Sequence, residues 1–219
     1  MISMKNTALA IAFASMSLSA NAAVISFEAP LNLETTEINQ TLTLDQFDSS
    51  LGTLDSVTIQ FFGRGKSSAT IENTSANPQS YRFISVLDLV FSGPLSNSVS
   101  IELFNTNGFV SIANGTTLDL GSVDISDSRT LTLTDASTDF VPYIGTGNLA
   151  FTCVSFVTNT QTGGGGNVVV RQNTEAGCGA SVTYAYTAAP TTNPVPEPGS
   201  LALLGLGLVG LAGLRRKTR

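Results

Sequence analysis

Between residues 24 and 187 the chain alternates apolar and polar side chains in many short runs. The segments "TLTL" at 41–44, "SVTIQF" at 56–61, "SVSIEL" at 98–103, "TLTLT" at 130–134 and "SVTYAY" at 181–186 put apolar residues on one side of an extended chain. Ser, Thr or Gln falls on the other side. Successive side chains of a strand point to opposite faces, so this period of two predicts half-buried antiparallel strands. Two denser runs, "FISVLDLVF" at 83–91 and "LAFTCVSFV" at 149–157, predict more central ones. Gly, Asn, Asp and Pro punctuate the runs, and no internal repeat is visible. Roughly eight to eleven strands in one body predict an all-β fold, an antiparallel β-sandwich of jelly-roll or immunoglobulin-like type.

Both ends break this pattern. The opening "MISMKNTALAIAFASMSLSANAA" has a basic Lys5, an apolar stretch over 8–18 and the small-residue triplet Ala20, Asn21, Ala22. That order predicts a secretory signal helix, removed by signal peptidase after Ala22 to leave a chain beginning at Ala23. The body is then expected in an oxidising compartment. At the other end the apolar run 201–214 is short of the roughly 17–25 residues that usually cross a ~30 Å hydrocarbon core. It is apolar on every side, however, and is followed by Arg215, Arg216, Lys217 and Arg219. The positive-inside rule places that tail in the cytoplasm and the body outside, which predicts a transmembrane helix. Gly205, Gly207, Gly210 and Gly213 each weaken a helix by about 1 kcal/mol relative to Ala, and none is spaced for a G-x-x-x-G dimer face. The segment reads as a weak, short anchor suited to temporary retention.

Between body and anchor, "PTTNPVPEPGS" carries Pro190, Pro194, Pro196 and Pro198, which favour an extended stretch that cannot join a sheet. The expected organisation is a signal peptide at 1–22, a β-domain at 23–188, a Pro-rich linker at 189–199, a transmembrane segment at 200–214 and a basic tail at 215–219. The order Pro196, Glu197, Pro198, apolar segment, Arg215, Arg216 resembles a PEP-CTERM sorting signal. The resemblance implies export in a Gram-negative bacterium that makes exopolysaccharide, transient residence in the inner membrane, and processing by an exosortase, a membrane-embedded cysteine enzyme resembling a transpeptidase. Glu197 would be a recognition residue of a substrate, with no catalytic part. There is no LPxTG for a Gram-positive sortase, and a GPI signal would not end in basic residues.

The body carries a second resemblance. "LTLDQFDSSLGTLDSVTIQF" at 42–61, with "YIGTGNLAFT" at 143–152 and "ASVTYAYT" at 180–187, is similar to the choice-of-anchor E family over roughly residues 38–187. That likeness implies an exported module placed before a surface-anchoring signal and implies no enzyme.

Within "LTLDQFDSSLG", Asp45 and Asp48 are expected to shape a turn by bonding local amides, with Phe47 and Leu51 facing inward and Gly52 permitting a tight bend. The alternative is a calcium site drawing on Asp45, Asp48 or Asp55. Asp119, Asp124 and Asp127 raise the same alternative, although "DLGSVDISD" matches no EF-hand loop. No metal and no cofactor is expected. Cys153 and Cys178 are the only cysteines, and export predicts a disulfide closing a loop of about 25 residues, contributing ~3 kcal/mol in the chain-entropy model. Two separate buried thiols are the alternative. The glycines at 163–166 read as a flexible hairpin connection. "GRGKSS" at 63–68 lacks the spacing of a phosphate-binding loop and reads as a turn between strands.

Composition narrows the function classes. The 219 residues contain no His and no Trp, and the formal net charge is -6. Lys5 and the four basic residues of the tail lie at the ends, which leaves 5 basic against 16 acidic residues in the remainder, net -11. Such a surface repels nucleic acid and anionic headgroups. Without His no Ser-His-Asp or Cys-His arrangement exists, and Lys66 is the only Lys of the mature body, so no enzyme is expected. Tyr143, Tyr184 and Tyr186 are the available sugar-stacking rings, and packing is the expected role for them. The reading is a non-enzymatic protein of the cell surface or exopolysaccharide matrix. Its partners are signal peptidase, exosortase and exopolysaccharide. The alternative is a secreted binding or adhesin module dependent on calcium or glycan.

Overall fold

The computed structural model describes residues 22–134 and 139–189. The signal segment up to residue 21, the linker from 190, the apolar run and the tail lie outside the described residues, and so do the two terminal helices expected there. The body has ten strands: β1 (Ala22–Ala29), β2 (Glu34–Thr35), β3 (Asn39–Asp45), β4 (Gly52–Asn73), β5 (Gln79–Ser92), β6 (Asn97–Asn105), β7 (Val110–Ile112), β8 (Thr117–Leu133), β9 (Asn148–Gly163) and β10 (Val168–Ala188). They form two sheets, β1-β10-β4-β8 with β2 beside β10, and β3-β9-β5-β6 with β7 beside β5. Every pairing of these strands is antiparallel.

With the short β2 and β7 set aside, the eight long strands run 1-8-3-6 in one sheet and 2-7-4-5 in the other. This is the jelly-roll order, in which two Greek keys wrap a strand pair around a shared core. The immunoglobulin-like alternative has a different sheet composition and is not the one adopted.

Apolar positions of both sheets meet between them. Ile59 and Phe61 of β4, Leu87, Leu89 and Phe91 of β5, Phe151 of β9, and Val182 and Tyr184 of β10 are fully buried. Phe61 packs against Phe91 at 4.7 Å between centroids and edge-on to Phe151 at 5.1 Å, joining the sheets through one aromatic cluster.

Side-chain size is complementary across the core. One sheet presents Gly63, Gly65 and Ser67 on β4 and Ala176, Cys178 and Ala180 on β10. The other presents large residues. A Cβ at Gly63 would lie 2.1 Å from Leu89 Cδ1, and one at Gly65 would lie 2.8 Å from Leu87 Cδ2 and 2.9 Å from Leu103 Cδ2. "GRGKSS" is therefore the middle of β4 and not a turn. Its glycines are there for close approach of the opposing leucines. A buried polar group interrupts the core: Ser67 Oγ and Thr174 Oγ1 lie 2.8 Å apart, and the Gln172 amide donates to Ser67 Oγ at 3.1 Å and to Ser85 Oγ at 2.9 Å. These groups satisfy one another and tie the sheets in a single register.

Cys153 of β9 and Cys178 of β10 form a disulfide with a Cα separation of 6.4 Å, so the bond staples one sheet to the other. The glycine run between those strands is not a hairpin, because β9 and β10 belong to different sheets. Gly163, Gly164, Gly165 and Gly166 have φ of 93, 75, 52 and 81°, a left-handed path that turns the chain from one layer to the other. A Cβ at Gly163 would sit 2.2 Å from the Ser80 carbonyl oxygen. Gly163→Ala is expected to destabilise the body by about 2 kcal/mol or more, read as a lower urea midpoint at unchanged slope.

Candidate functional site

Pro196, Glu197, Pro198, Arg215 and Arg216 lie outside the described residues, as does Ala20. The described residues include both ends of the body. Strand β10 ends at Ala188, and its last residues pair with the first of β1: Thr187 opposite Ala22, Tyr186 opposite Ala23. Ala22 and Ala23, two of the expected signal-cleavage residues, therefore lie beside the last residues of β10.

The same end holds the turn between β3 and β4. The Asp48 carboxylate accepts from the Ser50 amide at 2.8 Å, capping a 3-10 turn over Ser49–Leu51. That bond holds the Asp48 carboxyl below its ordinary range. Phe47 is buried, packed on Tyr184 and Tyr186 at 5.7 and 5.1 Å. Leu51 is 39% exposed, contrary to the inward placement expected of it, because it closes the 3-10 turn on the outer surface. The backbone carbonyl of Asp45 accepts from the Tyr184 hydroxyl at 3.0 Å, and burial pushes that phenol far above its usual range. Asp55 is the extra residue where the β4–β10 register shifts, and its carboxylate accepts from Thr187 Oγ1 at 2.9 Å.

The other acidic group is spread along β8. Asp119 accepts from the Gly121 amide and Asp127 from the Ser128 amide, each at 2.8 Å. Asp124 receives two bonds from the Arg64 guanidinium, at 2.7 and 2.6 Å. No three His, Cys, Asp or Glu side chains converge on a metal-sized site among the described residues. The calcium candidates thus do not come together among the described residues, and the carboxylates of Asp48, Asp55, Asp119, Asp124 and Asp127 are each bonded separately.

The Arg64 hydrogen bonds, reinforced by its charge, hold the Asp124 carboxyl below its ordinary value of 3.8. A lowered pKa contributes stability that is present above the unfolded value and lost as pH falls through the folded one. The body is therefore expected to lose stability on acidification from about pH 4 downward. Asp124→Asn should flatten that acid limb, as read by thermal melts between pH 5 and 2.

A feature that sequence reading missed lies on the outer face of the β10-β4-β8 sheet. The register shift between Ala69 and Thr70, with Gly121 at φ 76°, bends β8 and opens a cleft of about 370 Å³. Its lining includes Ser68, Thr70, Asp119, Ser122, Arg171 and Asn173. Toward the sheet's other end the outward polar groups bond each other: Ser26 with Thr183 at 2.9 Å, Thr58 with Thr132 at 3.1 Å and Gln60 with Ser128 at 3.3 Å. In the cleft the side chains of Ser68, Thr70, Ser122 and Asn173 form no such bonds among the described residues. The charges around it balance locally, Arg171 facing Glu72 at 3.4 Å and Lys66 facing Glu175 at 3.8 Å. The signal in the sequence was Asp119-Leu120-Gly121, whose bulge-forming glycine interrupts an otherwise even alternation.

A jelly-roll body followed in sequence by a C-terminal sorting segment defines the class, a secreted protein. Residues 194–217 match the PEP-CTERM protein-sorting motif, and that stretch contains Pro196, Glu197, Pro198, Arg215 and Arg216. The motif marks a secreted protein that is held at the membrane transiently and processed by exosortase-type sorting. No curated protein matches the chain. Among solved structures, a chain of the T13 particle of infectious bursal disease virus is similar at 9% identity, over 88% of this chain and 47% of that one, with a TM-score of 0.21. A chain of the Gx strain of the same virus is similar at 11% identity, over 88% and 49%, with a TM-score of 0.15. The parasporin-2 toxin of Bacillus thuringiensis is similar at 12% identity, over 77% and 76%, with a TM-score of 0.12. The chain spans about half the length of the viral chains. Likeness at this level defines no function.

Proposed function

We propose that the protein is a non-enzymatic component of the cell surface or exopolysaccharide matrix, delivered there by exosortase processing at its C-terminal segment. The observation that carries this reading is the sorting motif at 194–217 following a disulfide-stapled β-sandwich in sequence. The absence of His and the separate bonding of Asp48, Asp119, Asp124 and Asp127 support a structural role over catalysis. The likeness of residues 38–187 to choice-of-anchor E domains supports the same reading, that of a module borne on an anchoring signal. Replacing Pro196, Glu197 and Pro198 together by Ala is expected to leave the protein at full length in the inner membrane. Release of an unchanged extracellular form by that variant would overturn the proposal.

A second reading, a glycan-binding module, is favoured by the cleft with its unpaired hydroxyl and amide groups. Retardation of the purified body in gels containing exopolysaccharide extracted from the producing cells tests it. Binding is expected to fall at least tenfold in a variant with Ser68, Ser122 and Asn173 all changed to Ala, and no retardation of the unaltered body would refute it.

A further inference from the structure

Strands β1, β3, β6 and β8 end the two sheets, and among the described residues each has one edge with no strand beside it. Such an edge is a row of backbone donors and acceptors able to pair with another chain. Three of these strands bear a single acid each: Glu28 on β1, Asp45 on β3 and Glu102 on β6. β8 is longer, and alone among them it carries both signs of charge. Its register shifts near Gly121, but from Val123 to Leu133 it runs unbroken against β4. Along that stretch Val123, Ile125, Leu131 and Leu133 turn toward the core and are partly buried. Asp127 and Arg129 fall on the same face by alternation and are exposed. From Ser128 in either direction the face therefore reads charged, apolar, apolar, with opposite signs on the two sides. Inward charges commonly guard an edge against pairing, and a guard of one sign repels a second copy. A pair of opposite signs flanking one residue is instead complementary to itself.

We propose that β8 pairs antiparallel with β8 of a second copy of this chain, about a two-fold axis at Ser128. Asp127 of each copy then faces Arg129 of the other, Ile125 faces Leu131 and Val123 faces Leu133, so that every inward pair is matched. On the outer face Ser126 meets Thr130 and Asp124 meets Thr132. Moving the axis by one residue sets Asp127 against Asp127 of the second copy, or Arg129 against Arg129, and like charges directly opposite are destabilising. Moving it by two leaves both charges opposite apolar side chains. The charges thus select one register. The Asp127 carboxylate accepts from the Ser128 amide through Oδ1 at 2.8 Å, which leaves Oδ2 for the guanidinium of the second copy. Residues of the same face oppose each other in this pairing, so the axis stands perpendicular to the joined sheets. The two clefts lined by Ser68, Ser122 and Asn173 then open on the same side of one continuous sheet. A polymer of repeating units can engage both, which raises avidity without any new contact. The pairing itself depends on neither reading of the function.

The experiment uses the full chain, residues 1–219, oxidised and in detergent, with self-association read by sedimentation velocity over a range of concentrations. The unaltered chain is expected to form a concentration-dependent dimer. Asp127→Arg and Arg129→Asp should each weaken it about tenfold or more, since two facing pairs turn from attraction to repulsion. The two substitutions together set opposite charges face to face again and should restore the dimer. Association through the apolar run 201–214 responds to none of these changes, so it is told apart by the same series. Register is read separately by cross-linking. Ser128→Cys is expected to join two copies on mild oxidation, because a residue facing itself across an antiparallel pair stands about 4.5–5.5 Å away at Cα, within disulfide range. Ser126→Cys faces Thr130 and should not link. Thermal melts matching the unaltered chain establish that each variant is folded. A chain that stays monomeric throughout, equal linking at positions 126 and 128, or a doubly substituted chain no better associated than the single variants would each overturn the proposal.

Discussion

Cys178→Ala is expected to destabilise the body by roughly 2–5 kcal/mol, lowering its melting temperature by on the order of 10 °C. The bond closes a loop with a sequence separation of 25, and its loss returns that conformational freedom to the unfolded chain. The folded state suffers as well, because this bond cross-links the two sheets through cysteines that are both fully buried. Cys153 is left as a lone buried thiol opposite Phe91 of β5, where it packs as a small apolar group. Paired melts with and without reductant separate the contributions: reductant should bring the unaltered protein close to the variant and leave the variant where it was. A variant as stable as the parent under oxidising conditions would contradict the stapled-sandwich account.

Phe61→Ala is expected to cost about 3–5 kcal/mol, the range for emptying a fully buried aromatic site. Phe61 stands on β4, and its ring contacts Phe91 and Phe151 of the opposing sheet. Neither neighbour can collapse into the space, since each is held on a strand paired on both sides. Phe61→Leu retains most of the volume and should cost less than half as much. Urea unfolding of the three proteins checks this ordering. Equal midpoints for Phe61→Ala and the parent would place the core elsewhere.

What the sequence revealed and what it hid follow from the length scale of each signal. Alternation over "SVTIQF" and "SVTYAY" reports which face of a strand is buried, a local property, and those segments lie within β4 and β10 as strands. Whether a strand continues through a glycine is not local. "GRGKSS" resembled a turn because the reason for Gly63 and Gly65 is the bulk of Leu87, Leu89 and Leu103, some two dozen to forty positions further along the chain. The glycines at 163–166 could not be assigned to a hairpin or a crossover without knowing that β9 and β10 pair with different partners. Leu51 resembled a core residue by spacing, yet the 3-10 turn capped by Asp48 rotates it outward. Asp48 itself was legible, because an aspartate two residues before an accessible amide acts within its own turn. The cleft over Ser68 and Asn173 was not, since it depends on three strands meeting and on a bulge in one of them.

The central claim concerns the ends of the chain and is most directly tested by one intact-mass measurement on protein from the native cells, fractionated into inner membrane and extracellular material. The account predicts an extracellular form that begins at Ala23 and ends near Pro198, with the apolar run and the basic tail removed. A protein found only in the inner membrane, with its mass extending through Arg219, would make the C-terminal segment a permanent anchor and contradict the account.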